Sequence, residues 1–276
     1  MYVHTRSLSF FEWLGRTGPN EHASPRTGVE AMADAAQARR ADVVHDRGRR
    51  ANIIQPMKAT EQVYTAAENE VVARALGLFD SFARRHGRAH ARRLSRPSTV
   101  DRLQTKYDEG SGGYIGEGEA SIYGATPEDV VAYLMDVGSR DFQNRLNREL
   151  YPCYEVRELV NEHHSIIFNE MHKAPFQNRT WVASLVWRKA CDEPLTYVLC
   201  AASIDGHASV APAAEAHAVR AGILRCVKLT ALSSHSTKLE MVTSLDLKGR
   251  FPSWFTRAVV LPQVLPQPVQ PVVLAS

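Results

Sequence analysis

Between Cys153 and Gly249 apolar residues recur in runs of strand length, and only short turns interrupt them. CYEVRELVNEHHSIIFNEMHK turns near Asn161-Glu162. RTWVASLVWRKACDEPLTYVLCAASI turns at Asp192-Glu193-Pro194. HAVRAGILRCVKLTALSSHSTKLEMVTSLDLKG turns around Ser233–Ser236. Parallel strands need a crossover of roughly a dozen residues between them, whereas turns this short join antiparallel neighbours. Three hairpins in a row therefore predict an antiparallel sheet, and a sheet with an apolar face needs a cover.

The chain upstream supplies more strand and some helix. TVDRLQTKYDEGSGGYIGEGEASIYG reads as two strands around the Gly/Ser turn at 110–113. TPEDVVAYLMDVGSR reads as a short helix, with Thr126 as N-cap, Pro127 at the first helical position and Asp129 in the first turn. Residues 60–86 carry Val63, Ala67, Val71, Ala75, Leu78 and Phe82 at helical spacing, with Thr60 as N-cap and Arg84, Arg85 and Gly87 at the end. This is an amphipathic helix that packs on another layer. Residues 1–57 lack periodicity, are rich in Ala, Arg, Asp, Pro and Gly, and carry few large apolar residues in RTGVEAMADAAQARRADVVHDRGRR, so they read as a disordered or loosely helical leader. No internal repeat is present.

The C-terminus supplies the cover. VTSLDLKGRFPSWFTRAVVLP leaves a strand at Lys248-Gly249, passes Phe251-Pro252 and enters an apolar segment that reads as a helix. A curved sheet closes over such a helix, and an apolar cavity remains where the two meet imperfectly. Pro262, Pro266, Pro268 and Pro271 cannot sit cheaply inside a helix, so it is expected to stop by residue 265. Residues 266–276 then form an extended, mobile tail.

Arg179-Thr180-Trp181-Val182 opens one strand, and Asp246-Leu247-Lys248-Gly249-Arg250-Phe251-Pro252-Ser253-Trp254 precedes the last helix. With EVRELVNEHHSIIFNEMHKAPFQ and AVRAGILRCVKL these resemble a START domain, the StAR-related lipid-transfer family, over residues 58–265. The resemblance implies an α+β helix-grip fold, a curved antiparallel sheet around a C-terminal helix, with one lipid or sterol-like molecule in an internal tunnel. Two positions depart from the family pattern. Thr180 replaces the usual Asp, and Leu185 stands where some sterol-binding members carry an interior Arg, which points to a more apolar floor.

Strand parity selects the residues that line the expected cavity. Trp181, Ala183, Leu185 and Trp187 share one face of their strand, and Val182, Ser184, Val186 and Arg188 the other. The first set, with Arg179, is assigned to the cavity, as are His164, Ile166 and Phe168 from the preceding strand. Trp254, Phe255, Ala258 and Val259 are assigned to the lid. Both tryptophans also suit plain core packing. Adjacent His163 and His164 point to opposite sides of a strand and make a poor metal pair, so no metal and no cofactor is expected.

Composition sets further bounds. The net charge of +3 does not argue for nucleic acid, and the arginines of ARRHGRAHARRLSRP lack interleaved aromatic residues for base stacking. Arg84, Arg85, Arg88, Arg92, Arg93 and Arg96 suit either a solvated linker or transient contact with an anionic membrane surface. No apolar run reaches the length of about 18 residues that spans a bilayer. Cys153, Cys191, Cys200 and Cys226 have neither C-x-x-C nor zinc-ligand spacing and read as small hydrophobes in a reducing compartment. The expectation is a monomeric, cytoplasmic, membrane-peripheral carrier of a sterol, phospholipid or fatty acid that is not an enzyme. The alternatives are a ligand-sensing module whose leader binds a protein partner, and a cyclase or hydrolase that uses the same cavity.

Overall fold

The computed structural model describes residues 48–58, 61–84, 90–91, 102–108, 113–139, 143, 151–172, 176–205 and 218–248. Helix α1 covers residues 48–58 and α2 Ala66–Arg84. Strands β1 (His90–Ala91), β2 (Arg102–Asp108) and β3 (Gly113–Tyr123) precede helix α3 (Pro127–Met135). Then come β4 (Cys153–Asn161), β5 (His164–Met171), β6 (Asn178–Asp192), β7 (Leu195–Ser203), β8 (Ala218–Arg220), β9 (Gly222–Ser233) and β10 (Ser236–Asp246).

One sheet runs in the order β1-β2-β3-β10-β9-β7-β6-β5-β4, antiparallel throughout this path. The short β8 pairs in parallel with Asn178–Thr180 of β6, just beyond the residues that β7 reaches. The three expected hairpins are present, with turns at 162–163, 193–194 and 234–235. The register shifts twice between β4 and β5 and once each in β6/β7 and β9/β10. Such bulges bend a strand and sharpen its twist.

Helix α3 begins as the sequence indicates. Thr126 Oγ1 accepts from the Asp129 amide, and the Asp129 carboxylate accepts from the Thr126 amide at 2.9 Å. Helix α2 begins later than expected. Val63 lies before it and is exposed, and the N-terminal box is Thr65 with Glu68: the Thr65 amide donates to Glu68 Oε2 at 2.7 Å, and the Glu68 amide to Thr65 Oγ1 at 3.2 Å. Within the segment that the sequence assigns to the leader, residues 48–57 are helical and packed. Met57 is buried in the main core, Arg49 pairs with Asp136 at 2.6 Å, and the Arg50 guanidinium lies 5.0 Å from the Tyr133 ring centre.

The sheet has two differently dressed faces. Its outer face takes α2, where Val71, Val72 and Ala75 pack on Val186, Val198, Cys200 and Cys226, and Leu78 and Phe82 on Ile115 and Val242. Its inner face forms the larger cluster. Trp181, Leu185, Trp187, Tyr197, Leu229 and Met241 meet Val130, Val131 and Tyr133 of α3 there. All four cysteines are free thiols, and the buried Cys200 and Cys226 stand opposite each other with their sulfurs 3.9 Å apart. Among the described residues no helix is long and apolar enough to cross a membrane.

Candidate ligand-binding site

The inner face of β6 fixes the frame of the site. Trp181, Ala183, Leu185 and Trp187 are all buried in the inner cluster, so the parity read from the sequence holds. Trp187 closes one end: its indole N–H donates to the Glu162 carbonyl at 3.1 Å, and its ring meets Tyr197 edge-on with centroids 5.9 Å apart. Neighbouring strands continue the surface in register. Leu185 faces Ala201 on β7, Ala201 faces Arg225 on β9, Arg225 faces Thr243 on β10, and Thr243 faces Gly116 on β3.

Two observations separate this interior from an ordinary filled core. Gly118 is buried on β3 opposite Met241, yet a Cβ placed there would meet nothing within 4 Å. Close-packed cores rarely leave room of that kind. Moreover, Ser165 Oγ and Asn169 Oδ1 are buried without a hydrogen-bond partner. They stand opposite Leu185 and Trp181, so both belong to the inner face. A buried polar atom without a partner costs about 1–3 kcal/mol, and a ligand group is one way to satisfy it. A pocket of about 520 Å³ opens beside Trp187 and Met57, lined also by Gln62, Tyr64, Arg188 and Cys191. Trp187 and Met57 belong to the inner cluster as well, so this pocket abuts the end of the interior.

His164, Ile166 and Phe168 do not join this face, contrary to the expectation. In an antiparallel pair, opposed residues point to the same side. His164, Ile166 and Phe168 oppose Val186, Ser184 and Val182, which places them on the outer face. Ile166 and Phe168 pack there with Val182. The inner residues of β5 are instead Ser165, Ile167, Asn169 and Met171, opposite Leu185, Ala183, Trp181 and Arg179.

His164 belongs to a polar anchor under α2. The fully buried Glu68 carboxylate accepts from Asn161 Nδ2 at 2.8 Å and meets His164 Nδ1 at 3.0 Å and His163 Nε2 at 3.4 Å. His164 Nε2 meets Ser184 Oγ at 2.6 Å, and His163 Nδ1 meets Gln62 Oε1 at 2.9 Å. Burial pushes the Glu68 carboxyl up, but hydrogen bonds from Thr65 and Asn161 outweigh it and hold the group at about 2. Burial lowers His164, and the Glu68 charge offsets this only in part. The chain Ser184–His164–Glu68 has the connectivity of a nucleophile relay. Ser184 nevertheless lies mid-strand and buried between Ile166 and Ala202, so the relay ties a helix to a sheet. Among the described residues no group of three or more His, Cys, Asp or Glu is arranged to hold a metal ion.

Arg179 is buried, but its guanidinium works on the backbone. Nε donates to the Leu247 carbonyl at 2.8 Å, Nη2 to the Lys248 carbonyl at 3.4 Å and Nη1 to the Gln177 carbonyl. It thereby fastens the start of β6 to the end of β10, where Lys248 adopts a positive φ of 50°. Trp254, Phe255, Ala258 and Val259 lie outside the described residues, as do Arg85, Arg88, Arg92, Arg93 and Arg96; of Arg84 only the backbone, at the end of α2, is described. The sequence reading missed Ser165, Asn169 and Arg225 on the inner face. Asn169 and Ser165 share the parity of Ile167, but only the register against β6 puts that set on the inner face.

No protein-family model matches the chain, and no curated protein does. Solved structures do. Human StAR-related lipid transfer protein 5 superposes with a TM-score of 0.56 at 14% identity, over 72% of this chain and 92% of that one. Human STARD10 gives 0.54 at 13% identity, over 75% and 78%. A STAR-related lipid transfer protein from Xanthomonas axonopodis gives 0.51 at 15% identity, over 63% and 91%. At such identities the likeness speaks for the fold. An antiparallel sheet with few helices is what these structures share with this chain, which therefore has the START-like helix-grip fold.

Proposed function

We propose that the inner face binds one lipid or sterol-like molecule and that the protein carries it as a non-enzymatic binding or transfer module. The observation that carries this reading is the open space above buried Gly118, within an interior walled by Trp181, Leu185, Trp187 and Met241. Enclosing a hydrocarbon chain there contributes about 0.8 kcal/mol per methylene, so a modest length of chain gives useful affinity. Ser165 and Asn169 supply polar atoms for a hydroxyl, carbonyl or headgroup. Names of two of the similar structures support the same reading, since both are described as StAR-related lipid transfer proteins. Residues 251–265 serve as the lid, and the Arg84–Arg96 run docks on an anionic membrane during exchange.

Native mass spectrometry of the full chain, followed by extraction of co-purifying lipid, tests the proposal. The expected result is a one-to-one adduct that is lost on denaturation. A protein that carries no adduct and takes up nothing from vesicles of mixed phospholipid, sterol and fatty acid would refute it.

A further inference from the structure

Two unpartnered polar side chains of the inner face form a pair with a set spacing. Ser165 and Asn169 lie four residues apart on β5, 1% and 4% exposed, and neither Ser165 Oγ nor Asn169 Oδ1 has a hydrogen-bond partner. Ile167 stands between them on the same face. The pairing of β5 with β6 runs without a shift from His164 to Met171, and both extra residues of the β4/β5 irregularities belong to β4. β5 is therefore regular over this stretch. A regular strand rises about 3.3 Å per residue, which sets the two side chains about 13 Å apart.

The neighbours of the pair limit what it can take. Ser165 is opposed by Leu159 and Leu185, and Asn169 by Tyr154 and Trp181, none of which is charged at neutral pH. An ionised headgroup would be buried there with no counter-charge beside it. A buried water needs several polar partners, and the side chains opposing Ser165 are hydrocarbon. An amphiphile with a single polar head satisfies one of the two positions and leaves the other bare. Asn169 Oδ1 requires a donor and Ser165 Oγ takes either role, so a hydroxyl serves at both. We propose that the ligand is an uncharged lipid with a hydroxyl at each end of its hydrocarbon body, one bonded to Ser165 and one to Asn169, with the body lying along Ile167. This rests on the reading that the interior takes a lipid, and it names the class.

The test is equilibrium dialysis of the full chain, as wild type, Ser165→Ala and Asn169→Leu. The probes are the α,ω-diols from hexanediol to tetradecanediol and the primary alkanols of the same lengths. The alkanols report the apolar contribution, so the ratio of diol to alkanol affinity isolates the second hydroxyl. An extended chain with bonds of about 1.5 Å advances about 1.25 Å per carbon, so a span of about 13 Å needs about ten carbons. Wild type is expected to show a ratio that peaks near that length and falls at least about tenfold toward both ends of the series. Each substitution is expected to flatten the peak. The melting temperature of the ligand-free variants should hold or rise, because each loses a buried polar atom that had no partner. Diols and alkanols that both bind, with a ratio that has no peak, would overturn the proposal and leave the lipid-binding reading standing. A peak that survives both substitutions would overturn it too. No binding of any diol or alkanol by wild type would overturn both. Should Asn169→Leu fail to fold, the wild-type length profile and Ser165→Ala still decide.

Discussion

Replacing Glu68 by Gln keeps the volume of the buried side chain and removes its charge. The carboxylate takes hydrogen bonds from the Thr65 amide, Asn161 and His164, all pointing at two acceptor oxygens, with His163 close by. Glutamine offers one oxygen and turns a donor toward a donor. A hydrogen bond to a charged group is worth about 1.5–3 kcal/mol, and breaking a buried charged network costs about 3–5 kcal/mol. We expect a loss of about 3 kcal/mol at pH 7, which for a unit of this size lowers the melting temperature by about 6–12 °C. The gap depends on pH. The folded-state value of Glu68 is about 2 against an ordinary 4.5, so the unfolded chain takes up the proton first on acidification. The advantage of wild type is complete above pH 4.5 and fades as pH falls toward 2. His164, lowered by burial, adds an acid sensitivity of the same sign, because the unfolded chain binds its proton at a higher pH than the fold does. Urea unfolding of both proteins at pH 7 and pH 3.5, followed by tryptophan fluorescence, measures the gap. A difference below about 1 kcal/mol at pH 7, or one as large at pH 3.5 as at pH 7, would refute the argument.

Two further substitutions probe the inner face and its rim. Gly118→Phe places a ring in the open space opposite Met241; lipid uptake should fall at least about tenfold while the melting temperature holds within about 3 °C, as calorimetry would show. Arg179→Met leaves the carbonyls of Gln177, Leu247 and Lys248 without their donor; stability should drop by about 2 kcal/mol, and amide exchange at residues 245–248 should quicken ahead of the rest of β10.

Much of the fold was legible because it rests on local signals. The turns after Asn161, Asp192 and Ser233 each end a strand-length run, and Thr126-Pro127 with Asp129 announces α3 through its own hydrogen bonds. The start of α2 was legible too, in Thr65-Ala66-Ala67-Glu68, although Thr60 and the apolar Val63 drew the boundary too early. The face of β5 was not. Its alternate sets, His164/Ile166/Phe168 and Ser165/Ile167/Asn169, both mix apolar and polar residues, so only the register against β6 decides. Arg225 was hidden for a related reason. Ile223, Val227 and Leu229 on its own side read as an apolar set, and a single Arg within such a set gives no local sign that it joins them on the inner face.

The two ends of α2 are held by different physics, and that difference sets how the sheet can breathe. At its N-terminal end the helix is bolted through Glu68 to Asn161 and His164, where each bond has a direction and a length. Toward its C-terminal end Leu78 and Phe82 rest on Ile115 and Val242 through contacts that have neither. The helix is thus a lever with a fixed pivot over β4, β5 and β6 and a sliding foot over β3 and β10. A guest that swells the interior would move the strands under the foot and leave the pivot still, so the β3–β10 wall, which carries Gly118 and Thr243, is the one that gives.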